Sequence, residues 1–252
     1  MEISPATAYL WFSFLEEIQD EKLIAEYRRL LPSSERDKLG RYRFDRHKKR
    51  YLVGRALIRT VLSNCTGVAP DQITLARETH GRPYLALSGQ DQPLQFSLSY
   101  TDGLVAAAVV AEGRVGIDVE YISRDTDCLE IAHKYFSPCE YTELEQLPEI
   151  QMKERFFELW TLKEAYVKAQ GLGLSLALNE VNFNFSDNHS DQITLTSATM
   201  SEEKYWQVRL LNPSLEHKAA LCVCQPTEAP LKLISKKTIP LVAEKDFARL
   251  RG

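Results

Sequence analysis

Three carboxylates and one amine have a spacing that could do chemistry. Asp118 and Glu120 alternate in the run VGIDVE, and Glu164 and Lys168 stand four apart in WTLKEAYVKAQG. At strand period, Val115, Ile117 and Val119 point one way while Asp118 and Glu120 point the other, about 7 Å apart. Two acids so placed repel each other unless water or a cation lies between them. Phe156, Trp160, Glu164 and Lys168 fall on one stripe of a helix. A solvated Glu–Lys pair at this spacing is worth only about 0.3–0.5 kcal/mol and carries no function by itself. An aromatic pair in the same row as a charged pair, however, is unusual for a solvated face. Oxygen donors without a His or Cys set suit Mg²⁺, which keeps several waters and commonly also a substrate phosphate.

Cations to meet such a phosphate lie upstream. Arg36 to Arg59 holds ten Lys or Arg against two acids, Asp37 and Asp45, in a chain whose net charge is −4. On a helical wheel Arg50 lies in line with the apolar stripe of Val53, Leu57 and Val61, whereas Arg55 and Arg59 fall opposite, with Lys48, and are expected in solvent. An inward guanidinium needs an anionic partner. Wheel geometry leaves open whether that partner is a structural carboxylate or a ligand phosphate. Gly81 and Pro83 mark a turn that presents Arg82. With Lys38 and Arg41 these residues could hold several phosphates. Acids with a metal on one side and arginines on the other suggest phosphoryl-type transfer.

The elements that must position these groups can be read in order. Thr7–Phe14 is a strand rich in aromatics, Glu21–Leu31 a short helix closed by Pro32, and Ser33-Ser34-Glu35 an N-cap for a second helix. HKKRYLVGRALIRTVLSNCTG reads as one helix ending near Gly67. Strands follow at Gln72–Ala76, Leu94–Ser99 and Leu104–Ala111. Ser137–Pro148 is a short acidic helix capped by Ser137 with Pro138 in its first turn. The helix carrying Trp160 stops at Gly171. GLGLSLAL is a loop without the Gly-Lys-Ser/Thr ending of a phosphate loop. Val181–Ser186, Gln192–Thr196, Trp206–Leu211 and Lys218–Cys224 read as strands. Residues 1–112 form one half, with the basic run and Arg82, 113–225 a second half, with the acids Asp118, Glu120 and Glu164, and 226–252, with three prolines and a terminal DFARLRG, a tail draped on the surface.

Bulk properties narrow the class. Hydrophobic residues make up 44% and charged residues 26% of 252, an ordinary globular composition. The acidic balance argues against a general nucleic-acid binder. No apolar run approaches the ~20 residues of a membrane span, and MEISPATAY is not a basic region followed by an apolar one. Five cysteines without a Cys-x-x-Cys read as reduced apolar residues in a cytoplasmic protein. A different class of function, a non-catalytic nucleotide- or RNA-binding module gripping phosphates with Arg36–Arg59 and stacking bases on Tyr42, Phe44 and Tyr51, leaves the carboxylates unexplained.

GRP at Gly81, FSLSYTDG at Phe96, GIDVE at Gly116 and WTLKEAYVKAQG at Trp160 together resemble the 4'-phosphopantetheinyl transferases in order and spacing. The length and the Trp-x-x-Lys-Glu-Ala form are similar to the Sfp type rather than to the short, trimeric holo-carrier-protein synthases. The resemblance spans roughly Leu39 to Gly173. It implies an α+β fold of two pseudo-twofold-related halves, a monomer with coenzyme A in the cleft between them. It further implies transfer of the phosphopantetheine arm to a serine of an apo acyl or peptidyl carrier protein, with release of adenosine 3',5'-bisphosphate. Asp118, Glu120 and Glu164 would then hold Mg²⁺, with Glu164 also the base for the serine and Lys168 on the reacting phosphate. Arg50, Arg82, Ser99, Tyr100 and Lys38 would bind the nucleotide end. The resemblance implies His after Ser99, where this chain has Tyr100. The carrier is expected near the loop after Gly171 and the Ser137–Pro148 helix.

Overall fold

Two long helices set the plan of the chain. Helix α3 (Asp45–Thr66) and helix α6 (Glu149–Gln170) have 22 residues each and stop on a glycine in the left-handed region, Gly67 at φ 76° and Gly171 at φ 74°. Any other residue would be strained there. The computed structural model describes residues 1, 3–86, 94–173, 176–186, 189–197 and 205–247.

Each long helix holds the same place in the same series of elements. Strand β1 (Thr7–Phe14), helices α1 (Glu21–Arg29) and α2 (Ser33–Arg41), then α3, lead into a two-stranded ladder of β2 (Leu75–Arg77) and β3 (Pro83–Leu85) and the hairpin β4 (Gln95–Thr101)–β5 (Leu104–Val110). The second half runs β6 (Arg114–Tyr121), α4 (Cys128–Tyr135), α5 (Pro138–Glu145), α6, the ladder β7 (Val181–Ser186)–β8 (His189–Ser197), and the hairpin β9 (Tyr205–Ser214)–β10 (His217–Gln225). Strand orders match as well: β1-β5-β4 in one sheet and β6-β10-β9 in the other. The fold is α+β, and one connectivity is used twice.

The layers follow from which faces are apolar. Helix α3 and one face of the first sheet share a core that includes Trp11, Leu57, Val61 and Val109. Helix α6 packs on the second sheet around Phe156, Leu162, Tyr166 and Ala220. Between the sheets lies a third cluster, with Leu10, Ala106, Ile117 and Leu221. Strands β5 and β10 are therefore buried on both faces, which is why LVAAAVV and HKAALCVCQ show no polar alternation. All five cysteines are free thiols, and burial pushes Cys222 upward in pKa.

Three expectations are corrected. The segment after Gln225 is no surface appendage. Strand β11 (Lys232–Ile239) pairs parallel with β1, and β12 (Ala243–Asp246) pairs antiparallel with β11, completing a five-stranded sheet. Strand β1 is buried along nearly its whole length, so its outer edge needs backbone partners, which β11 supplies. Ser13 Oγ donates to the Thr238 carbonyl at 2.7 Å and Tyr27 donates to the Pro240 carbonyl at 2.9 Å. The end of DFARLRG lies outside the described residues. Arg55 and Arg59 are also not in solvent. Both pair with Glu35 of α2, Arg59 through Nη2 at 3.0 Å, and Arg59 is only 1% exposed. Helix α2 covers the side of α3 that a wheel drawn for an isolated helix leaves open. The N-cap of α2 itself is Pro32, without a side-chain cap.

Candidate active site

The two sheets meet where β4 runs beside β6, and the site lies on that seam. Instead of a backbone ladder, side-chain hydroxyls of β4 accept from backbone N–H groups of β6: Ile117 on Ser97 at 3.1 Å, Val119 on Ser99 at 3.3 Å and Tyr121 on Thr101 at 3.1 Å. Hydroxyls at every second residue satisfy an edge that would otherwise be orphaned. They also bring Ser99 against Asp118.

Helix α6 crosses the other face of β6 at very short range. A Cβ on Gly116 would come within 1.9 Å of the Ala165 carbonyl and 2.5 Å of the Ala169 nitrogen, so only glycine permits the approach. This contact lays the stripe of α6 along the acids of β6. Phe156 and Trp160 stack at 6.1 Å, and Trp160 Nε1 donates to Glu120 Oε1 at 2.9 Å. Further along, Lys168 Nζ lies 2.6 Å from Asp118 Oδ1 and 2.8 Å from Ser99 Oγ, which itself donates to Asp118 Oδ1 at 2.9 Å. Lys163, next to Glu164 in sequence, turns away into the core. It pairs with Glu140 at 2.7 Å and donates to the carbonyls of Leu178 and Val181. Glu140 in turn accepts from Ser137 N–H and Phe183 N–H and completes the capping box of α5.

The electrostatics are those of crowded acids. Burial, then the charge of Asp118, push Glu120 up to about 7, against the opposing pull of Arg124, Trp160 and Lys168. Glu164 is raised by burial and by Asp118, with Lys168 opposing. Asp118 is 5% exposed, and its Oδ2 is buried without a hydrogen-bond partner. Arg124 reaches both oxygens of Glu120, at 2.8 and 3.4 Å. Among the described residues no three His, Cys, Asp or Glu side chains are arranged as a ready metal site. The donor set nonetheless fits a hard cation: oxygen atoms only, one of them orphaned, and two carboxylates, Glu120 and Glu164, whose pKa is raised by burial and then by the charge of Asp118.

The cations expected to meet phosphates are distributed along the seam. Arg82 donates to the Ala169 carbonyl at 3.2 Å, near the C-terminus of α6, and to Gln95 Oε1 at 3.1 Å; burial lowers its pKa. It lines a cleft of about 240 Å³ with Pro83, Phe96, Leu98, Val167 and Lys168. Arg50 pairs with Asp102 at 3.1 Å and lies 5.3 Å from the centre of the Tyr100 ring. Its anionic partner within the chain is thus a carboxylate of the β4–β5 turn. Lys38 sits over the Tyr51 ring at 5.3 Å, and Tyr51 contacts Tyr42, beside Tyr100. Asp118, Glu120, Glu164, Lys168 and Ser99 therefore gather in one place. Arg82 joins them across the cleft, Arg50 and Tyr100 lie together, and Lys38 is linked to that pair only through two tyrosines. Sequence reasoning missed Arg124, Asp102 and the core role of Lys163. Only the Ser137–Glu140 capping spacing hinted at the last of these.

A seam of this kind, with acids beside Lys168 and Arg82, defines a candidate group-transfer enzyme acting on a phosphorylated substrate, and comparison with known proteins identifies the family. Residues 114–224 match the 4'-phosphopantetheinyl transferase superfamily, and residues 19–112 match the N-terminal part of the 4'-phosphopantetheinyl transferases. The 4'-phosphopantetheinyl transferase HetI of Nostoc sp. is 35% identical over 66% of this chain and 70% of its own. The 4'-phosphopantetheinyl transferase psf-1 of Bacillus pumilus is 30% identical over 85% of this chain and 88% of its own. Sfp of Bacillus subtilis is 27% identical over 76% and 81%. Among solved structures, a holo-(acyl-carrier-protein) synthase from Bacillus anthracis in complex with CoA (3',5'-ADP) aligns with TM-score 0.39 and 20% identity, covering 45% of this chain and 96% of that one. The chain belongs to the 4'-phosphopantetheinyl transferase superfamily, in its Sfp type.

Proposed function

We propose that this chain transfers the 4'-phosphopantetheine arm of coenzyme A to a serine of an apo acyl or peptidyl carrier protein, with Mg²⁺ and release of adenosine 3',5'-bisphosphate. The observation that carries the reading is the Ser99–Asp118–Lys168 cluster, which joins an orphaned, buried carboxylate oxygen to an amine at the meeting of the two halves. Asp118, Glu120 and Glu164 would hold the metal, and bound there it supplies charge neutralisation for a pyrophosphate.

The chain's own residues do the rest. Glu164, raised in pKa by burial and by Asp118, would take the proton of the incoming serine hydroxyl. Lys168 is half-exposed on the cleft side and would donate to the phosphate oxygens as the bond to the leaving group breaks. Arg82, Arg50, Ser99, Tyr100 and Lys38 would hold the nucleotide end. The halves 1–112 and 113–225 would act as two lobes about this seam. A single chain supplies every group, which supports a monomer, and free thiols support a reducing, cytoplasmic setting. No described helix is long and apolar enough to cross a membrane. The α5 surface and the loop after Gly171 remain the proposed carrier contact; residues 174–175 of that loop lie outside the described ones.

The test is direct. Incubation with coenzyme A, Mg²⁺ and an apo carrier protein should add one phosphopantetheine mass to the carrier, seen by intact-mass spectrometry. No addition with acyl or peptidyl carriers would refute the reading.

A further inference from the structure

Of the ten cations between Arg36 and Arg59, the site described above uses Lys38 and Arg50, and Glu35 takes Arg55 and Arg59. Three of the others gather round a hollow of about 430 Å³ between α1 and α3. Its floor is apolar: Ile18 and Leu52 are buried, and Ile24 and Leu39 lie half-buried beside them. Its rim is basic, with Arg28 in the last turn of α1 and Arg46, Lys48 and Lys49 near the start of α3. Asp45, the one carboxylate in the lining, is already paired with Lys48 at 3.0 Å. Among the described residues, Arg28, Arg46 and Lys49 have no carboxylate partner.

Placement on α3 separates this rim from the catalytic seam. Asp45, Lys48, Lys49 and Leu52 follow the i, i+3, i+4, i+7 rule and share one stripe, which Ile24 and Arg28 face from α1. At about 100° per residue, that stripe centres on the side of the helix opposite Arg50, which meets Asp102 of the β4–β5 turn. An aromatic extends the surface. Phe44 is 51% exposed and has the guanidinium groups of Arg43 and Arg46 at 5.6 and 5.8 Å from its ring centre. An apolar hollow open to water gains from an apolar side chain that fills it, and unpaired cations round it favour acids on whatever brings that side chain. A nucleic-acid backbone would leave such a floor uncovered, and a flat bilayer would not enter it.

We propose that the groove between α1 and α3 is a protein-docking site, separate from the catalytic seam, for an acidic amphipathic helix of a partner protein. Aliphatic anchors one turn apart on that helix fill the hollow over Ile24, Leu39 and Leu52, and carboxylates flanking them meet Arg28, Arg46 and Lys49. Because the stripe faces away from Arg50, a partner held here leaves the cleft at Lys168 open. It recruits the enzyme without being its substrate.

The probe is a dye-labelled synthetic helix of about 15 residues, with leucines at i, i+3, i+4 and i+7 and glutamates flanking them. Fluorescence anisotropy at low salt should show saturable binding to the unaltered protein, with a dissociation constant of about 10⁻⁵ M or tighter. An isomer of the same composition, its leucines spread round the helix, should bind about tenfold more weakly, which separates the groove from charge alone. Arg28→Glu combined with Lys49→Glu should weaken binding of the first peptide by roughly tenfold or more, while transfer to an apo carrier stays unchanged. Arg46→Glu, at an exposed residue, gives the same reading if the double variant fails to fold. No saturable binding, equal binding of the two isomers, or unchanged affinity in the variants overturns the proposal. Binding to phosphatidylserine vesicles, or concentration-dependent dimerisation, that the charge reversals abolish would assign the face to a membrane or to a second copy and overturn it too. Loss of transfer in a folded variant overturns the separation from the seam.

Discussion

Glu120→Gln should make the protein more stable while making it a poorer enzyme, and the gain should depend on pH. In the folded chain burial and the charge of Asp118 raise Glu120 from 4.5 to about 7, although Arg124 and Trp160 both favour its ionised form. Below pH ~4.5 the carboxyl is protonated folded or unfolded, and its titration costs nothing. Between ~4.5 and ~7 the unfolded chain loses this proton while the folded chain keeps it, so stability falls as pH rises. Above ~7 the loss is complete; at 1.36 kcal/mol per pH unit it amounts to about 3 kcal/mol, as an upper estimate. Glutamine keeps an acceptor for Trp160 Nε1 and has no charge to repel Asp118. Arg124, with its side chain 38% exposed and stacked 5.2 Å over Phe157, remains hydrated without its partner. Urea denaturation in EDTA should therefore show Glu120→Gln more stable by about 1–3 kcal/mol at pH 8, with the difference vanishing near pH 4.5. Adding Mg²⁺ at pH 8 should stabilise the unaltered protein more than the variant, and transfer by the variant should be greatly reduced. No stabilisation at pH 8, or the same increment at both pH values, would show that Glu120 is not strained by its neighbours.

Three further outcomes separate the roles of the remaining residues. Glu164→Gln should lower single-turnover transfer at saturating coenzyme A by about 10²-fold or more and abolish the rise of rate with pH that ionisation of Glu164 produces; Lys168→Ala should lower the rate more than coenzyme A affinity. Near-normal rates in both would leave α6 merely structural. Lys163→Ala, which strands the Glu140 carboxylate in the core, should cost about 3–5 kcal/mol in urea denaturation, and a cost below 1 kcal/mol would refute the buried pair. Tyr100→His should improve the preference for coenzyme A over dephospho-coenzyme A as pH falls from about 8 to 6, where imidazole becomes charged. An unchanged preference would place Tyr100 away from the 3'-phosphate.

Much of this was legible in the residues. The two 22-residue helices could be read from their apolar period and terminal glycines, Gly67 and Gly171, because capping and periodicity are local properties of the chain. The same holds for Ser137 as a cap and for the alternation that sets Asp118 and Glu120 on one face of β6. The ordered motifs were enough to name the family.

What the sequence could not settle was what each charge faces, since that is decided by elements distant in the chain. Arg55 and Arg59 read as solvated because nothing in α3 foretells that Glu35 of α2 will lie over them. Lys163 and Glu164 look alike in WTLKEAYVKAQG, yet a 100° step around α6 sends one into the core against Glu140 and the other towards Asp118. The tail became strands because the far edge of β1 needs backbone partners, a demand visible only once the sheet exists. Local physics fixed the elements and their faces, whereas the raised pKa of Glu120, the pairing of Arg50 with Asp102 and the hydroxyl seam between β4 and β6 arose only when packing removed water and set distant groups within a few ångströms.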